Sequence, residues 1–141
     1  MSETYISKSE RETEQIAYNL AKQNKINFGD IVALYGDLGA GKTAFTRGLV
    51  KFFSPSSRVT SPTFALVNEY DKKILHFDMY RINSEEDLLS VGFYDYLDGE
   101  KLIIIEWFDK IAKFFDENTV NINIIKLNGD EREIIYADTR D

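Results

Sequence analysis

The stretch that decides the fold is IVALYGDLGAGKT, at residues 31–43. Its first part, IVALY at residues 31–35, is an uninterrupted apolar run, which is typical of a strand covered on both faces of a sheet. The remainder, residues 36–43, matches the pattern G-x-x-x-x-G-K-[ST]. Glycines in such a loop let successive backbone amides point inward at the positive end of the following helix. The stretch therefore predicts a phosphate-binding loop between a buried strand and a helix.

The residues after the loop predict a helix over residues 43–53, because their apolar side chains recur at helical spacing. Lys42 would bring a positive charge to the β- and γ-phosphates of a nucleotide. The Thr43 hydroxyl is the expected protein ligand of Mg²⁺, which prefers oxygen donors and keeps several waters. The loop thus predicts binding of a nucleoside triphosphate together with Mg²⁺.

Two carboxylates are candidates for the other side of such a site. Glu106 follows LIII at residues 102–105, a second apolar run that predicts a buried strand. Asp78 closes a further predicted strand, residues 74–78. Phosphoryl transfer needs an acidic group near the metal, at the carboxyl edge of the sheet. Either residue could hold Mg²⁺, directly or through water, and the other could orient the attacking water.

The remaining elements follow from apolar spacing, capping residues and turn signals. The other expected helices cover residues 9–25, with a capping box from Ser9 to Glu12, residues 84–90, and the residues after Trp107 through Phe115. The other expected strands are residues 64–69, paired with 74–78, and a hairpin of residues 120–127 and 132–137 around Asn128-Gly129. These elements predict an α/β fold, a P-loop NTPase-like three-layer domain with a mixed parallel and antiparallel central sheet.

Composition excludes several classes of function. The 141 residues contain no Cys and one His, which excludes disulfides, thiolate metal sites and clustered-His zinc sites. No apolar run approaches the roughly 18 residues of a membrane span, and we expect no signal peptide in residues 1–11, because they carry charges where a signal peptide needs an apolar stretch. We therefore expect a cytoplasmic protein without membrane association. The net charge of −7 disfavours direct, tight binding of nucleic acid and suits a basic partner protein.

Other polar residues near these motifs leave alternatives open. His76 is more consistent with a structural hydrogen-bonding role than with catalysis, since no nucleophile accompanies it. Thr60, Ser61 and Thr63 follow the loop helix, where switch segments sense a γ-phosphate, but they could equally form turns around Pro62. Tyr80 and Arg81 fit a partner surface, a phosphate contact or simple packing.

The signatures of guanine recognition are absent from the sequence. No D-x-x-G motif follows Asp78, and the one Asn-Lys pair, Asn24-Lys25, precedes the loop and lacks the later Asp. A small-molecule kinase usually has an Arg-bearing lid, and no lid-like insertion is apparent. A kinase therefore stays the alternative to an ATPase, and a nucleotide-gated binding module with negligible turnover is a third possibility.

Four blocks, taken in their order and spacing, resemble one known family. They are GDLGAGKTAFTRG at residues 36–48, SPTFALVNEY at 61–70, HFDMYR at 76–81 and IEW at 105–107. Together they resemble TsaE, the small P-loop ATPases of bacterial tRNA threonylcarbamoyladenosine synthesis. The resemblance runs from the N-terminal helix to the final hairpin, which implies a single P-loop ATPase domain over residues 1–141.

The resemblance implies an accessory subunit that binds ATP with Mg²⁺ and hydrolyses it slowly. It would act with TsaD and TsaB, which transfer threonylcarbamoyl to the adenosine beside the anticodon. Hydrolysis would reset the TsaB–TsaD assembly between turnovers. The protein would thus meet tRNA indirectly, through that complex.

The resemblance also implies roles for individual residues. Thr43 and Glu106 would ligate Mg²⁺, and Asp78 would assist hydrolysis. Ser9 would approach the nucleotide, and Trp107 would lie beside the site. The residues expected to hold the phosphates are Asp37, Leu38, Gly39, Ala40, Gly41, Lys42 and Thr43, with Lys42 also expected to act in catalysis.

Two positions depart from the pattern of the family. Ala44 and Ala65 stand where its members typically have Thr. The backbone amide of Ala44 can still contact phosphate, so Ala44 is kept among the expected nucleotide-binding residues. Ala65 has no hydroxyl, which removes any switch contact that depends on one.

Overall fold

The structure is a computed structural model that describes residues 2–37, 39–60, 66–115 and 117–139. Within these residues, seven strands form one sheet: β1 (Ser2–Ser7), β2 (Ile31–Tyr35), β3 (Val67–Tyr70), β4 (Ile74–Asp78), β5 (Leu102–Glu106), β6 (Val120–Lys126) and β7 (Arg132–Asp138). The α-helices are α1 (Glu10–Lys22), α2 (Lys42–Phe53) and α3 (Glu85–Ser90). Short 3₁₀ helices cover Phe93–Tyr96, Phe108–Lys110 and Ala112–Phe114.

The sheet mixes parallel and antiparallel strands in the order β1-β7-β6-β2-β5-β4-β3. The four central strands β6, β2, β5 and β4 are parallel, and β1, β7 and β3 pair antiparallel with their neighbours. Parallel strands end at the same edge of a sheet, so the carboxyl ends of β2, β4 and β5 lie together. Glu106 of β5 is the register partner of both Leu34 on β2 and Asp78 on β4.

Apolar side chains of the central strands alternate between two separate cores. Val32 and Leu34 of β2 pack on one face with side chains of α1 and α2. Ile31 and Ala33 pack on the other face with α3 and the 3₁₀ helices. This alternation covers both faces of the sheet and makes three layers. The predicted α/β fold with a mixed central sheet is confirmed.

Helices α1 and α2 approach each other closely at Gly48. A Cβ atom on Gly48 would overlap the backbone oxygen of Glu14 and would lie 2.8 Å from Cβ of Ala17. Glycine is therefore required for α2 to pack directly against the backbone of α1. Helix α1 begins as predicted, because the Ser9 hydroxyl accepts a hydrogen bond from the amide of Glu12 at 3.1 Å.

Replacing Gly48 by Ala should lower the free energy of unfolding by about 2 kcal/mol, since overpacking outweighs the better helix propensity of alanine. Urea denaturation measures this loss. The matched control is Lys51→Ala, at an exposed position of the same helix, which should change stability by less than about 0.5 kcal/mol. Equal stability of Gly48→Ala and Lys51→Ala would show that the two helices do not pack as closely as described.

Several sequence predictions match the structure. Strand β2, helix α3 with its Ser84 cap, and the β6–β7 hairpin fall where the sequence placed them. Strands β3 and β4 form the expected antiparallel pair. Strand β3 begins at Val67, and Phe64 and Ala65 of the predicted strand lie outside the described residues. Within the described ranges, no helix is long and apolar enough to cross a membrane.

Three predictions of secondary structure were incomplete or wrong. Strand β1 was not anticipated, because its side chains are mostly polar and its place is defined by pairing with β7 at the far end of the chain. Helix α1 ends at Lys22, and Asn24 adopts a left-handed φ of 62° that lets the Lys25 amide bond to the Leu20 oxygen. The continuous helix expected after Trp107 is instead two 3₁₀ turns.

Trp107 explains the difference after β5. Its φ of 59° lies in the left-handed region, which a tryptophan rarely adopts, so the chain turns sharply as the strand ends. The turn delivers Phe108 and Ile111 to the core on the face of α3. Burial of these side chains fixes a compact pair of turns in place of a regular helix.

Candidate functional site

The phosphate loop leaves β2 and enters α2 through Gly41. Gly41 has a φ of 116°, a left-handed conformation that favours glycine, and it supplies no side-chain cap to the helix. The backbone amides at the start of α2 therefore receive no hydrogen-bond acceptor from the side chain of the capping residue. An anion at this position would accept hydrogen bonds from these amides and would complement the positive end of the helix.

Lys42 begins α2 and is 6% exposed. Its Nζ atom donates a hydrogen bond to the Gly36 oxygen at 2.6 Å and lies 3.9 Å from the centre of the Trp107 ring. Burial lowers the pKa of the Lys42 ammonium group, and the nearby carboxylates of Glu106 and Asp109 oppose that shift. The ammonium group is thus held by a carbonyl and an aromatic face, close to the first turn of α2.

Glu106 ends β5 with its side chain almost fully buried. One of its carboxylate oxygens, Oε2, lies 2.5 Å from Nε2 of His76, which is itself fully buried on β4. The contact holds one oxygen of the carboxylate and orients the other. His76 thus has the structural hydrogen-bonding role that the sequence favoured.

Asp78 ends the neighbouring strand and differs from Glu106 in its surroundings. Its side chain is partly exposed, and Oδ1 accepts a hydrogen bond from the Tyr80 amide at 2.9 Å. Burial raises the pKa of the Asp78 carboxyl group, and the charge of Glu106 adds to that increase, whereas the Tyr80 hydrogen bond opposes it. A carboxylate with a raised pKa beside a second carboxylate is suited to accepting a proton from water.

Most of the predicted residues line one cavity of about 600 Å³, which is within the range of small-molecule sites. The predicted residues that line it are Gly39, Gly41, Lys42, Thr43, Ala44, Asp78, Glu106 and Trp107; Glu10, Arg47 and Tyr80 complete the lining. Ser9 and Ala40 line an adjoining cavity of about 250 Å³ that shares Gly39, Gly41 and Ala44. Asp37 lines a third cavity together with Trp107.

The other residues singled out in the sequence have different places. Leu38, Ser61 and Thr63 lie outside the described residues. Thr60 contacts Tyr70 and Asn68 on β3, so its backbone joins the loop after α2 to the sheet. Tyr80 packs against Trp107 with ring centres 5.0 Å apart and lines the main cavity.

The donor set of the cavity fits Mg²⁺ better than a metal that the protein encloses completely. Among the described residues, no group of three or more His, Asp or Glu side chains is placed to hold a metal ion. Thr43 and Glu106 offer one hydroxyl and one carboxylate at the same cavity. Mg²⁺ commonly takes one or two protein oxygens and fills its remaining positions with phosphate oxygens and water.

Arg132 is a residue of the site that the sequence analysis missed. From the start of β7 its Nε atom donates to the Ala40 oxygen at 2.8 Å, and its NH2 group donates to the Gly39 oxygen at 3.3 Å. Its NH1 group donates to the oxygens of Gly129 and Glu131, both at 2.9 Å. Arg132 therefore joins the phosphate loop to the final hairpin, a link over more than 90 residues that no local pattern reveals.

Replacing Arg132 by Met should weaken the ATP binding expected of this loop about tenfold, because the loop carbonyls lose their donors and the loop amides are less well oriented. Calorimetric titration of ATP measures the change. Arg11→Met, at an exposed position of α1, is the matched loss of one positive charge and should leave the affinity within about twofold. Equal affinities for the two variants would exclude a role of Arg132 in shaping the loop.

The chain is similar to proteins of one known family. The family model for the threonylcarbamoyl adenosine biosynthesis protein TsaE matches residues 7–134. The tRNA threonylcarbamoyladenosine biosynthesis protein TsaE of Rickettsia conorii is 40% identical over 128 residues, which cover 88% of this chain and 71% of that protein. The protein of the same name from Bacillus subtilis is 36% identical over 112 residues, covering 77% and 70%.

A solved structure shows the same fold. The crystal structure of YdiB from Bacillus subtilis superposes with a TM-score of 0.79 at 28% sequence identity, covering 98% of this chain and 86% of YdiB. The family model accounts for nearly the whole chain, from the end of β1 into β7. This chain therefore belongs to the TsaE family.

Proposed function

We propose that the protein is a Mg²⁺-dependent ATPase that acts in tRNA threonylcarbamoyladenosine synthesis together with TsaD and TsaB proteins in the cytoplasm. The observation that carries the proposal is the single cavity that Lys42, Thr43, Glu106 and Asp78 line together. The names of the curated relatives support the pathway.

Different groups of the chain would bind the phosphates and the Mg²⁺ ion. Backbone amides of the phosphate loop and of the first turn of α2 would receive the β- and γ-phosphates, and Lys42 would neutralise their charge. Thr43 and Glu106 would hold Mg²⁺, which supplies further charge neutralisation at the phosphate oxygens when bound. Because His76 engages Oε2 of Glu106, the other carboxylate oxygen is the one left for the cation.

Asp78 is the residue that we assign to hydrolysis. It lies beside Glu106 in the same cavity but is not engaged by His76, and burial raises the pKa of its carboxyl group. It would orient the attacking water and accept its proton. Turnover by the protein alone should be slow, because Arg47, the arginine among the described residues that lines this cavity, is paired with Glu14 at 3.3 Å and is not free to stabilise the transition state.

Partner proteins fit the charge of the chain. A net charge of −7 repels the phosphate backbone of tRNA, so contact with tRNA through TsaD and TsaB is more favourable than direct binding. Hydrolysis inside such an assembly would serve to reset it between turnovers, with the transfer chemistry performed by TsaD.

The proposal is tested by measuring ATP hydrolysis with and without purified TsaB and TsaD, using ATP labelled at the γ-phosphate. We expect slow release of labelled phosphate by the protein alone, faster release with both partners, and a complex that forms when ATP is present. Transfer of the label to small hydroxyl acceptors would instead identify a kinase. Failure to form a complex in the presence of ATP would refute the proposed partnership.

A further inference from the structure

A continuous line of hydrogen bonds joins the loop after α2 to the candidate metal ligand. The Tyr70 hydroxyl lies 3.0 Å from the Thr60 oxygen and 3.4 Å from Nδ1 of His76. On the other side of the same imidazole ring, Nε2 contacts Glu106. The line therefore crosses three neighbouring strands, from β3 through β4 to β5, and ends at the cavity.

Because this line of hydrogen bonds is buried, losing one of them can leave a polar group without a partner. His76 is fully buried, and the side chains of Tyr70 and Glu106 are nearly so. Water has little access to replace a lost partner there, and an unpaired polar group in such a place is unfavourable. A change at one end of the line is thus passed to the next group instead of being absorbed by solvent.

With His76 neutral and Glu106 ionised, the single hydroxyl hydrogen of Tyr70 has two acceptors within reach. Glu106 as a carboxylate only accepts, so Nε2 of a neutral His76 ring carries the hydrogen and Nδ1 is an acceptor. The Tyr70 hydroxyl can then donate to Nδ1 or to the Thr60 oxygen, but not fully to both. It also accepts from the Thr60 amide at 3.3 Å, so it contacts both backbone groups of Thr60, whose oxygen accepts from Asn68 Nδ2 as well, at 2.9 Å.

We propose that Tyr70 and His76 are positioning residues that couple the placement of Thr60 in the loop after α2 to the orientation of the Glu106 carboxylate. The inference rests on the proposed binding of Mg·ATP and deepens it. When a cation takes the other oxygen of Glu106, Oε2 becomes a weaker acceptor for Nε2 of His76, and the Tyr70 hydroxyl shifts between His76 and Thr60. By reciprocity, a partner that moves Thr60 changes the affinity for Mg·ATP.

The first test removes the hydroxyl with Tyr70→Phe. Its matched control is Tyr136→Phe, because Tyr136 is also a buried tyrosine whose hydroxyl donates to a backbone oxygen, that of Lys25, away from the cavity. We expect Tyr70→Phe to weaken Mg·ATP binding about fivefold and to leave the affinity for ATP in EDTA unchanged. Tyr136→Phe should leave both affinities unchanged.

The second readout is hydrogen exchange at the Thr60 amide, measured by NMR. In the wild-type protein, Mg·ATP should change the exchange rate of this amide about fivefold, whereas the rate in Tyr70→Phe should not respond to Mg·ATP. A simple loss of stability would raise exchange with and without nucleotide alike. The response to Mg·ATP therefore separates coupling from a structural role.

A pair of variants at His76 gives an independent check. In His76→Gln the amide nitrogen can take the place of Nε2 and keep the donor to Glu106, whereas in His76→Asn it can take only the place of Nδ1. We expect His76→Gln, which loses the link to Tyr70 as Tyr70→Phe does, to bind Mg·ATP about fivefold more weakly than the wild type and to lose the response at Thr60. His76→Asn also loses the donor to Glu106 and should bind about 50-fold more weakly.

The outcomes separate this inference from the proposed function. If the wild-type protein binds no Mg·ATP, the proposed function fails. If the wild type binds Mg·ATP but Tyr70→Phe behaves like Tyr136→Phe in both readouts, the coupling is refuted and the ATPase proposal stands. Equal affinities of His76→Gln and His76→Asn would likewise contradict the positioning role.

Discussion

Lys42→Ala should weaken Mg·ATP binding at least about 100-fold, because in the proposed site the buried ammonium group is the main charge facing the phosphates, and charge-assisted hydrogen bonds are strong. The chain has a single Trp, and the Lys42 Nζ atom lies 3.9 Å from the centre of its ring. Fluorescence of Trp107 therefore reports directly on occupancy of the site, and titration with Mg·ATP measures both affinities.

The control for this substitution is Lys51→Ala, which removes an exposed lysine from the same helix. It should bind Mg·ATP within about twofold of the wild type, since exposed charges contribute little. Thermal unfolding of Lys42→Ala checks that the loss of the Gly36 hydrogen bond has not unfolded the loop helix. The contribution of a single interaction varies by up to roughly threefold with its context. A folded Lys42→Ala variant whose affinity for Mg·ATP lies within about threefold of the wild type would therefore refute the assigned role of Lys42.

Glu106→Gln should lower the rate of ATP hydrolysis by about 10² to 10³, because the amide has the shape of the carboxylate but lacks the charge that we propose holds Mg²⁺ together with Thr43. The affinity for Mg·ATP should fall as well, whereas the affinity for ATP in EDTA should not. The amide oxygen can still accept from Nε2 of His76, so the fold around the residue should be preserved.

Two further variants make the Glu106 measurement specific. Glu85→Gln, at an exposed position of α3, removes one negative charge away from the cavity and should hydrolyse ATP at the wild-type rate. Asp78→Asn should lower hydrolysis but leave Mg·ATP binding intact, because Asp78 is assigned to the attacking water. Equal losses of affinity for Mg·ATP and metal-free ATP in Glu106→Gln would mean that Glu106 does not contact the metal.

The parts of the fold that local patterns encode were predictable from the sequence. The apolar run of β2, the glycines after it and the periodic helix α2 each have a local signature, and the same holds for β5 and for the β6–β7 hairpin. Glu106 and Asp78 could be nominated because a residue that closes a buried parallel strand must emerge at the edge where the phosphate loop begins.

The remaining features depend on contacts between distant parts of the chain. Strand β1 is polar and exists through its pairing with β7, and Arg132 reaches the phosphate loop from the last hairpin. The bond between His76 and Glu106 joins residues 30 positions apart, so it requires the register of β4 against β5. Spacing within one segment carries no information about such pairs.

The central claim is that a divalent cation lies between Thr43 and Glu106 while the phosphates occupy the loop at the start of α2. Crystals grown with Mn²⁺ and a non-hydrolysable ATP analogue test it most directly, because manganese gives anomalous scattering. The account predicts one strong anomalous peak within about 2.5 Å of both the Thr43 hydroxyl and a Glu106 oxygen, with phosphate oxygens completing the coordination. Two results would contradict it: a nucleotide bound in the loop with the cation elsewhere, or crystals in which no nucleotide occupies the loop.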